Sequence, residues 1–327
     1  MPQTTDRPAQ RRVLPMIVRD RRGGETRRMR NAVSADARML RAVSADIAQA
    51  ADPRHLVRRP PAADPFELRD PEYIARTLPA LRVMADVWFR ADVRGLENIP
   101  PRGPVLLVGN HSGGILIADT FIFAQAFYDQ FGPEREFFQL AHDLVFKVPG
   151  IRAMLTPYGT VPASPDNMRR ALARGAALLV YPGGDHETYR ASWHSAEIDF
   201  GHRTGFVRLA FKHGVPIVPV VSIGGQETAL FLGQGEHIAR LLHLHRLLRI
   251  DVAPIQIAPP WGVTVLDLPG RLPLPAKISI EILPPIDLRE ELGGARGDPD
   301  KGYELVTGRM QHALSELAEA RALPLIG

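Results

Sequence analysis

Two hydrophobic patterns alternate along most of the chain. Short, continuously apolar runs, PVLLVG at 104–109 and AALLVY at 176–181, read as strands buried on both faces. Further strands are expected at 136–141, 158–162, 215–221 (VPIVPVV) and 277–283 (KISIEIL). Between them, apolar residues recur at helical spacing. Ile74, Leu78, Leu81, Met84 and Val87 mark one helix ending in Trp88-Phe89, and others are expected at 115–129, 165–174, 204–213 and 299–321. Ser164 and Thr204 are the expected N-caps of two of them, with Pro165 at a first position and Gly175 and Gly214 beyond the ends. Strands alternating with helices predict an α/β fold, a mostly parallel central sheet flanked by helices.

Three segments depart from that alternation. Residues 236–249, EHIARLLHLHRLLR, mix Leu and Ile with Arg and His. This suits a membrane-surface helix, and ordinary core packing gives much the same pattern. Residues 252–275 hold six prolines and Trp261 in apolar sequence, which predicts an irregular apolar flap. Residues 1–30 are Arg-rich and broken by Pro and Gly-Gly, the composition of a disordered tail. Val33, Leu40, Val43 and Ile47 predict a basic amphipathic helix within 31–51, and 52–66 reads as a Pro-rich linker. The expected organisation is a basic, partly disordered arm over 1–65 and one folded domain over 66–327.

Charge sharpens this division. The formal net charge of +4 is distributed as +8 over residues 1–60 and −4 over the rest. An arm of this kind suits an anionic membrane surface or is a solvated tail. Nucleic acid is not an expected partner, because the body is net acidic and the arm lacks interleaved aromatics. The absence of cysteine excludes disulfides, a thiol nucleophile and cysteine-ligated zinc, and points weakly to a reducing compartment. No apolar core of signal-peptide length opens the chain, and no run reaches about 18 apolar residues, so no spanning helix is expected.

Candidate chemistry gathers at strand ends. In VGNHSGGILIAD, 108–119, a strand runs into Asn110, His111 and Ser112, followed by Gly113 and Gly114. Open α/β sheets place their sites at such C-terminal strand ends. A histidine there can act as a general base at neutral pH, and Asp119 can orient it. Seven residues separate them, and on one continuous helix that spacing is about 12 Å of rise. Either Gly113-Gly114 forms a loop and the helix starts later, or Asp143 or Asp185 takes the role. A second strand enters LVYPGGDHETYR at 179–190, and a third ends in Gly-Gly-Gln-Glu-Thr at 224–228. Three glycine-rich polar strand ends predict one shared site; the plain alternative is three ordinary turns. The Gly-x-Ser-x-Gly elbow of a serine esterase is absent. His186, His194 and His202 are spaced for no zinc pair, so neither a metal nor a resident cofactor is expected.

The ordered blocks NHSGG…D, YGTVPAS…N…AL..G, YPGG..E and GVPIVPV resemble the glycerolipid (lysophospholipid) acyltransferase superfamily. The likeness runs from about residue 86 to 228, with a looser continuation at 273–288. It implies the layered fold of the glycerol-phosphate acyltransferases. It also implies a membrane-associated enzyme that moves a fatty acyl group from acyl-CoA or acyl carrier protein, as co-substrate, to a hydroxyl of a glycerolipid or lysophospholipid. His111 would be the base and Asp119 its partner. Asn110, Ser112, Gly113, Gly114, Tyr181, Pro182, Gly183, Gly184, Asp185, Glu187, Arg190 and Arg203 would surround the substrate. Amides around 112–114 or 183–185 would steady the oxyanion.

The family's Phe-Pro-Glu-Gly block is here Tyr181-Pro182-Gly183-Gly184, as in the branch that includes diacylglycerol acyltransferases. Glu187 or Asp185 would replace the missing glutamate. Arg169 and Arg170 are loose matches to the family's phosphate-contacting arginines. Arg203 would bind an anionic group or form a surface salt bridge. The expected location is peripheral, on the cytoplasmic face of a membrane. A catalytically degenerate lipid-binding protein and an acyl-thioester hydrolase are the alternatives.

Overall fold

Val105 and Leu107 point to one side of the central sheet, Leu106 and Val108 to the other, and all four are fully buried. A strand with that pattern needs cover on both faces, and the fold supplies it. The computed structural model describes residues 64–147, 149–244, 251–268, 270–294 and 297–321. The arm expected over 1–65 lies outside these residues except for Asp64 and Pro65.

The elements that matter here are α1 (Pro71–Val83), β1 (Asp92–Arg94), β2 (Val105–Gly109), α2 (Ala118–Phe131), β3 (Phe137–Ala141), β4 (Thr160–Pro162), α3 (Pro165–Ala173), β5 (Ala177–Val180), α4 (Gly184–Thr188) and α5 (Gly205–His213). There follow β6 (Ile217–Ile223), β7 (Leu230–Gly233), α6 (Glu236–Leu241), β8 (Ile255–Ala258), β9 (Gly262–Val265), β10 (Ser279–Ile282) and α7 (Pro299–Glu319). The large sheet has the order β1-β10-β6-β2-β5-β3-β4. Strands β6, β2, β5, β3 and β4 run parallel; β10 is antiparallel to β6 and parallel to β1. One face packs against Leu172, Phe206, Val207, Met310 and Leu314 of α3, α5 and α7. The other packs against Ile74, Ile122, Phe123 and Phe127 of α1 and α2. Each such buried side chain contributes roughly 1.5–3 kcal/mol.

Four expectations are corrected. The helix expected from 115 begins at Ala118, because Gly113 (φ +85°) and Gly114 (φ +65°) are left-handed and Ile117 (φ +33°) breaks the run again. A β-branched residue in that region is strained. The strand expected from 158 starts at Thr160, since Thr156–Tyr158 form a 3-10 turn. Thr204 occupies the N-cap position of α5 without a side-chain capping bond, whereas Ser164 caps α3 by accepting from the Asn167 N–H. The flap expected at 252–275 is largely regular. Strands β8 and β9 form an antiparallel hairpin that pairs with β7 as a second, three-stranded sheet. Its prolines sit beside the strands: Pro254 precedes β8, and Pro259 and Pro260 form the turn to β9. Of the helix expected at 236–249, the described residues carry α6 over Glu236–Leu241.

Candidate active site

The site is built outward from the end of β2. Asn110 fixes that end to β6: its Nδ2 donates to the Ser222 carbonyl and its Oδ1 accepts the Ser222 N–H, both at 2.8 Å. Gly109 is required just before it, because a Cβ there would lie 2.6 Å from the ring of Tyr181. That ring leaves the end of β5 and stacks on His111, with centroids 4.2 Å apart and planes 20° apart. Thr120 Oγ1 donates to the Tyr181 hydroxyl at 2.8 Å. Burial, then the charge of Asp119, raises the Tyr181 pKa well above the usual phenol value, so it stays protonated.

The His111 side chain keeps 13% of its surface exposed, and its Nδ1 lies 3.4 Å from Asp119 Oδ2. Nδ1 is buried with no aligned hydrogen bond, and Asp119 is its near neighbour. Such a pair commonly tightens only when substrate arrives. The Asp119 carboxylate is itself held. Oδ2 accepts from the Ser112 N–H at 3.1 Å and from Ser112 Oγ at 3.3 Å, and Oδ1 accepts from the Thr120 N–H at 2.7 Å. The alternative acids lie elsewhere. Asp185 faces Arg203 at 3.7 Å and accepts from the Asp251 N–H. Asp143 is exposed at the start of a separate helix.

The loop after His111 is pinned amide by amide. The His111 N–H goes to Glu187 Oε2 at 3.0 Å, the Ser112 N–H to Asp119, the Gly113 N–H to Gln226 Oε1 at 3.1 Å, and the Ile115 N–H to Asp267 Oδ2 at 2.7 Å. The Gly113 carbonyl accepts from Arg271. Gln226 belongs to the third polar strand end, whereas Asp267 and Arg271 lie outside all three. Asp267 and Arg271 are the two charged residues in the apolar stretch 252–275, a signal that could have exposed them.

Glu187 packs against Gly183, the position of the family's glutamate. A Cβ on Gly183 would lie 2.6 Å from Glu187 Cβ and 2.7 Å from its Oε2, so Glu187 fills the space beside residue 183. It is fully buried, 3.0 Å from the guanidinium of Arg190, which is buried too. Burial pushes its carboxyl up to about 7, against the opposing pull of Arg190 and the His111 amide. Asn110, Ser112, Glu187 and Arg190 thus spend their side chains on protein partners and frame the site. Arg203 donates to the carbonyls of Pro182 and Gly183 at 3.0 and 2.9 Å, clamping the Tyr181–Gly184 turn. Arg169 and Arg170 pair with Asp166 and Asp64. Among the described residues, no cluster of three or more His, Asp or Glu could hold a metal.

The mixed α/β fold places His111 just past the parallel strand β2 and Asp119 in the first turn of α2, and parts of the chain are similar to known proteins. The family model described as Acyltransferase matches residues 90–223. An uncharacterised protein of Mycobacterium tuberculosis is 31% identical over 246 residues, covering 74% of this chain and 66% of that protein. The human DGAT1/2-independent enzyme synthesizing storage lipids is 30% identical over 165 residues, 49% of this chain and 47% of that enzyme. The 1-acyl-sn-glycerophosphate acyltransferase PlsC of Thermotoga maritima aligns over 79% of this chain and 87% of its own, with 18% identity and a TM-score of 0.47. Residues 90–223 of the chain are thus similar to the acyltransferase family. The chain spans just under two thirds of the length of the mycobacterial relatives it matches.

Proposed function

We propose that this protein is an O-acyltransferase that moves a fatty acyl group from a thioester, acyl-CoA or acyl carrier protein, to a hydroxyl of a glycerolipid. The observation that carries this reading is the His111–Asp119 pair: a partly exposed imidazole, stacked on Tyr181, with a buried carboxylate 3.4 Å behind it. Asp119 favours a proton on Nδ1, which leaves Nε2 free to accept the proton of the acceptor hydroxyl. The hydroxyl oxygen bonds to the thioester carbon as the carbonyl π pair moves to oxygen. The C–S bond then breaks, and the thiolate takes the proton from His111. The buried Glu187 holds the His111 backbone, in place of a glutamate at position 183.

A lipid surface as the source of acceptor is supported by the small sheet. Leu230, Ile257 and Val263 stand side by side across β7, β8 and β9, and each is exposed. Phe231 and Gln256, on the opposite face, are buried. The sheet therefore buries Phe231 and Ala258 in a small core on one face and leaves an apolar stripe exposed on the other, bordered by exposed Trp261. The +8 arm adds attraction to anionic headgroups. Among the described residues no helix is long and apolar enough to cross a membrane.

Thiol release from palmitoyl-CoA, with a thiol-reactive dye and a panel of lysophospholipid, monoacylglycerol and diacylglycerol acceptors, tests the reading. The chain has no cysteine and adds no background. Acceptor-dependent release that falls by roughly 10²–10⁴-fold in His111→Ala is the expected result. Acceptor-independent release would make the protein a thioesterase, and no release with either CoA or carrier-protein donors would favour a lipid binder.

A further inference from the structure

The loop that follows His111 is held from outside the large sheet. Asp267 and Arg271 follow β9 in the small sheet and form an ion pair at 2.9 Å, with side chains 1% and 0% exposed. Their remaining polar groups turn toward the His111 loop and its surroundings. Asp267 Oδ2 accepts the Ile115 N–H at 2.7 Å, and Arg271 donates to the carbonyls of Gly113 and Thr228. Gln256 Nε2 completes Asp267 at 2.9 Å, and the guanidinium carbon lies 5.7 Å from the centroid of the Phe231 ring. Gly114 is left-handed between these two anchors, and a Cβ there would lie 2.2 Å from Asp267 Oδ2. Of the amides from 111 to 115, those of His111, Ser112, Gly113 and Ile115 all donate to protein side chains. Among the described residues, Gly114 N–H is the one of these amides with no hydrogen-bond acceptor.

Resting on the transferase reading above, we propose that Asp267 and Arg271 are positioning residues that hold Gly113–Ile115 so that the Gly114 N–H donates to the oxyanion of the tetrahedral intermediate. When the acceptor oxygen bonds to the thioester carbon, the carbonyl pair moves onto its oxygen, and that oxygen accepts from Gly114. On collapse the pair returns, the C–S bond breaks, and the thiolate leaves with the proton held by His111. A donor fixed before the charge develops costs no reorganisation, which is why its fixing belongs to a buried, fully bonded pair. The small sheet thereby becomes part of the catalytic apparatus. The expected oxyanion amides, 112–114 or 183–185, narrow to residue 114 in the first group, because 112 and 113 are already bonded.

The experiment compares wild type, Asp267→Asn, and the charge-free double variant Asp267→Leu/Arg271→Met. Replacing a buried ion pair by apolar groups is often neutral for folding, so the double variant guards against a single variant that fails to fold. With palmitoyl-CoA and the best acceptor, kcat should fall by roughly 10²-fold in folded variants, with KM for palmitoyl-CoA within about threefold of wild type and the pH profile unmoved. A folded variant whose kcat stays within about threefold, or whose loss is all in KM, overturns the proposal. Amide exchange over 113–116 tests the holding independently of turnover. Faster exchange is expected in Asp267→Asn, and unchanged exchange overturns the holding. A wild type that transfers nothing overturns the transferase reading instead.

Discussion

Asp119 Oδ2 sits 3.4 Å from His111 Nδ1 across a seven-residue interval that a continuous helix would stretch to about 12 Å. The interval closes because the chain turns left-handed at Gly113, Gly114 and Ile117 before α2 begins. The pair predicts a specific defect for Asp119→Asn. The asparagine still accepts the Ser112 amide, but it no longer carries the charge that stabilises a protonated His111. Turnover should fall on the order of 10²–10⁴-fold while acyl-CoA binding is kept. A variant with wild-type kcat at neutral pH would remove Asp119 from the mechanism.

Glu187 gives the protein a pH-dependent stability of unusual sign for a carboxylate. Its folded pKa, about 7, lies above the ordinary 4.5. Between those values the folded state keeps a proton that the unfolded chain has lost, so stability falls as pH rises through the window. The contribution is on the order of 3 kcal/mol, being fully present below pH 4.5 and lost above about 7. Glu187→Gln should flatten that slope in urea titrations across the window and still accept the His111 N–H. An unchanged slope would place the titration elsewhere.

Restoring the family's glutamate at position 183 should harm this chain. The new Cβ would meet Glu187 at 2.6 and 2.7 Å and the Asp199 carbonyl at 2.9 Å. Overpacking of this kind costs about 1–3 kcal/mol, and a second carboxylate beside a buried one adds to it. Gly183→Glu should therefore lower the melting temperature, and Gly183→Glu/Glu187→Ala should recover much of the loss. A single variant as stable as wild type would mean that the two side chains do not compete for one space.

The buried strands were legible because continuous apolar runs such as Leu106–Val108 have few other uses. His111 comes two positions after β2 and Tyr181 directly after β5, so the strand pattern alone places both at the same end of neighbouring strands. The late start of α2 was not fixed by residue type, since it depends on three positive φ angles, one of them at Ile117. The small sheet differs from the expected irregular flap because prolines that bound its strands look, in sequence, like prolines that break them. Asp267 and Arg271 stand out in sequence only as two charges in an apolar stretch; their partners at 113 and 115 are more than 150 positions away, and no local pattern joins them. Arg203 could be read either as an anion site or as a salt bridge; its main bonds are to the Pro182 and Gly183 carbonyls, which no spacing rule encodes.

The outward face of the small sheet separates two jobs that one variant can distinguish. Ile257 and Val263 are cross-strand partners with exposures of 38% and 69%, and neither belongs to the network that holds the His111 loop. Lysines there should leave folding within about 0.5 kcal/mol, as exposed substitutions usually do. If the face meets a lipid surface, Ile257→Lys/Val263→Lys should reduce co-sedimentation with neutral phosphatidylcholine vesicles by at least about tenfold, since each lost aliphatic contact is worth roughly 1.5–3 kcal/mol. Neutral lipid is the right probe, because on anionic vesicles the added lysines would compensate electrostatically for what they remove. Turnover of a dispersed short-chain thioester and a soluble acceptor should stay at the wild-type rate, which shows that His111 is intact. If vesicle binding is unchanged while the wild type, and not the variant, elutes as a dimer in size-exclusion chromatography, the face joins two copies of the chain and the lipid must be met elsewhere.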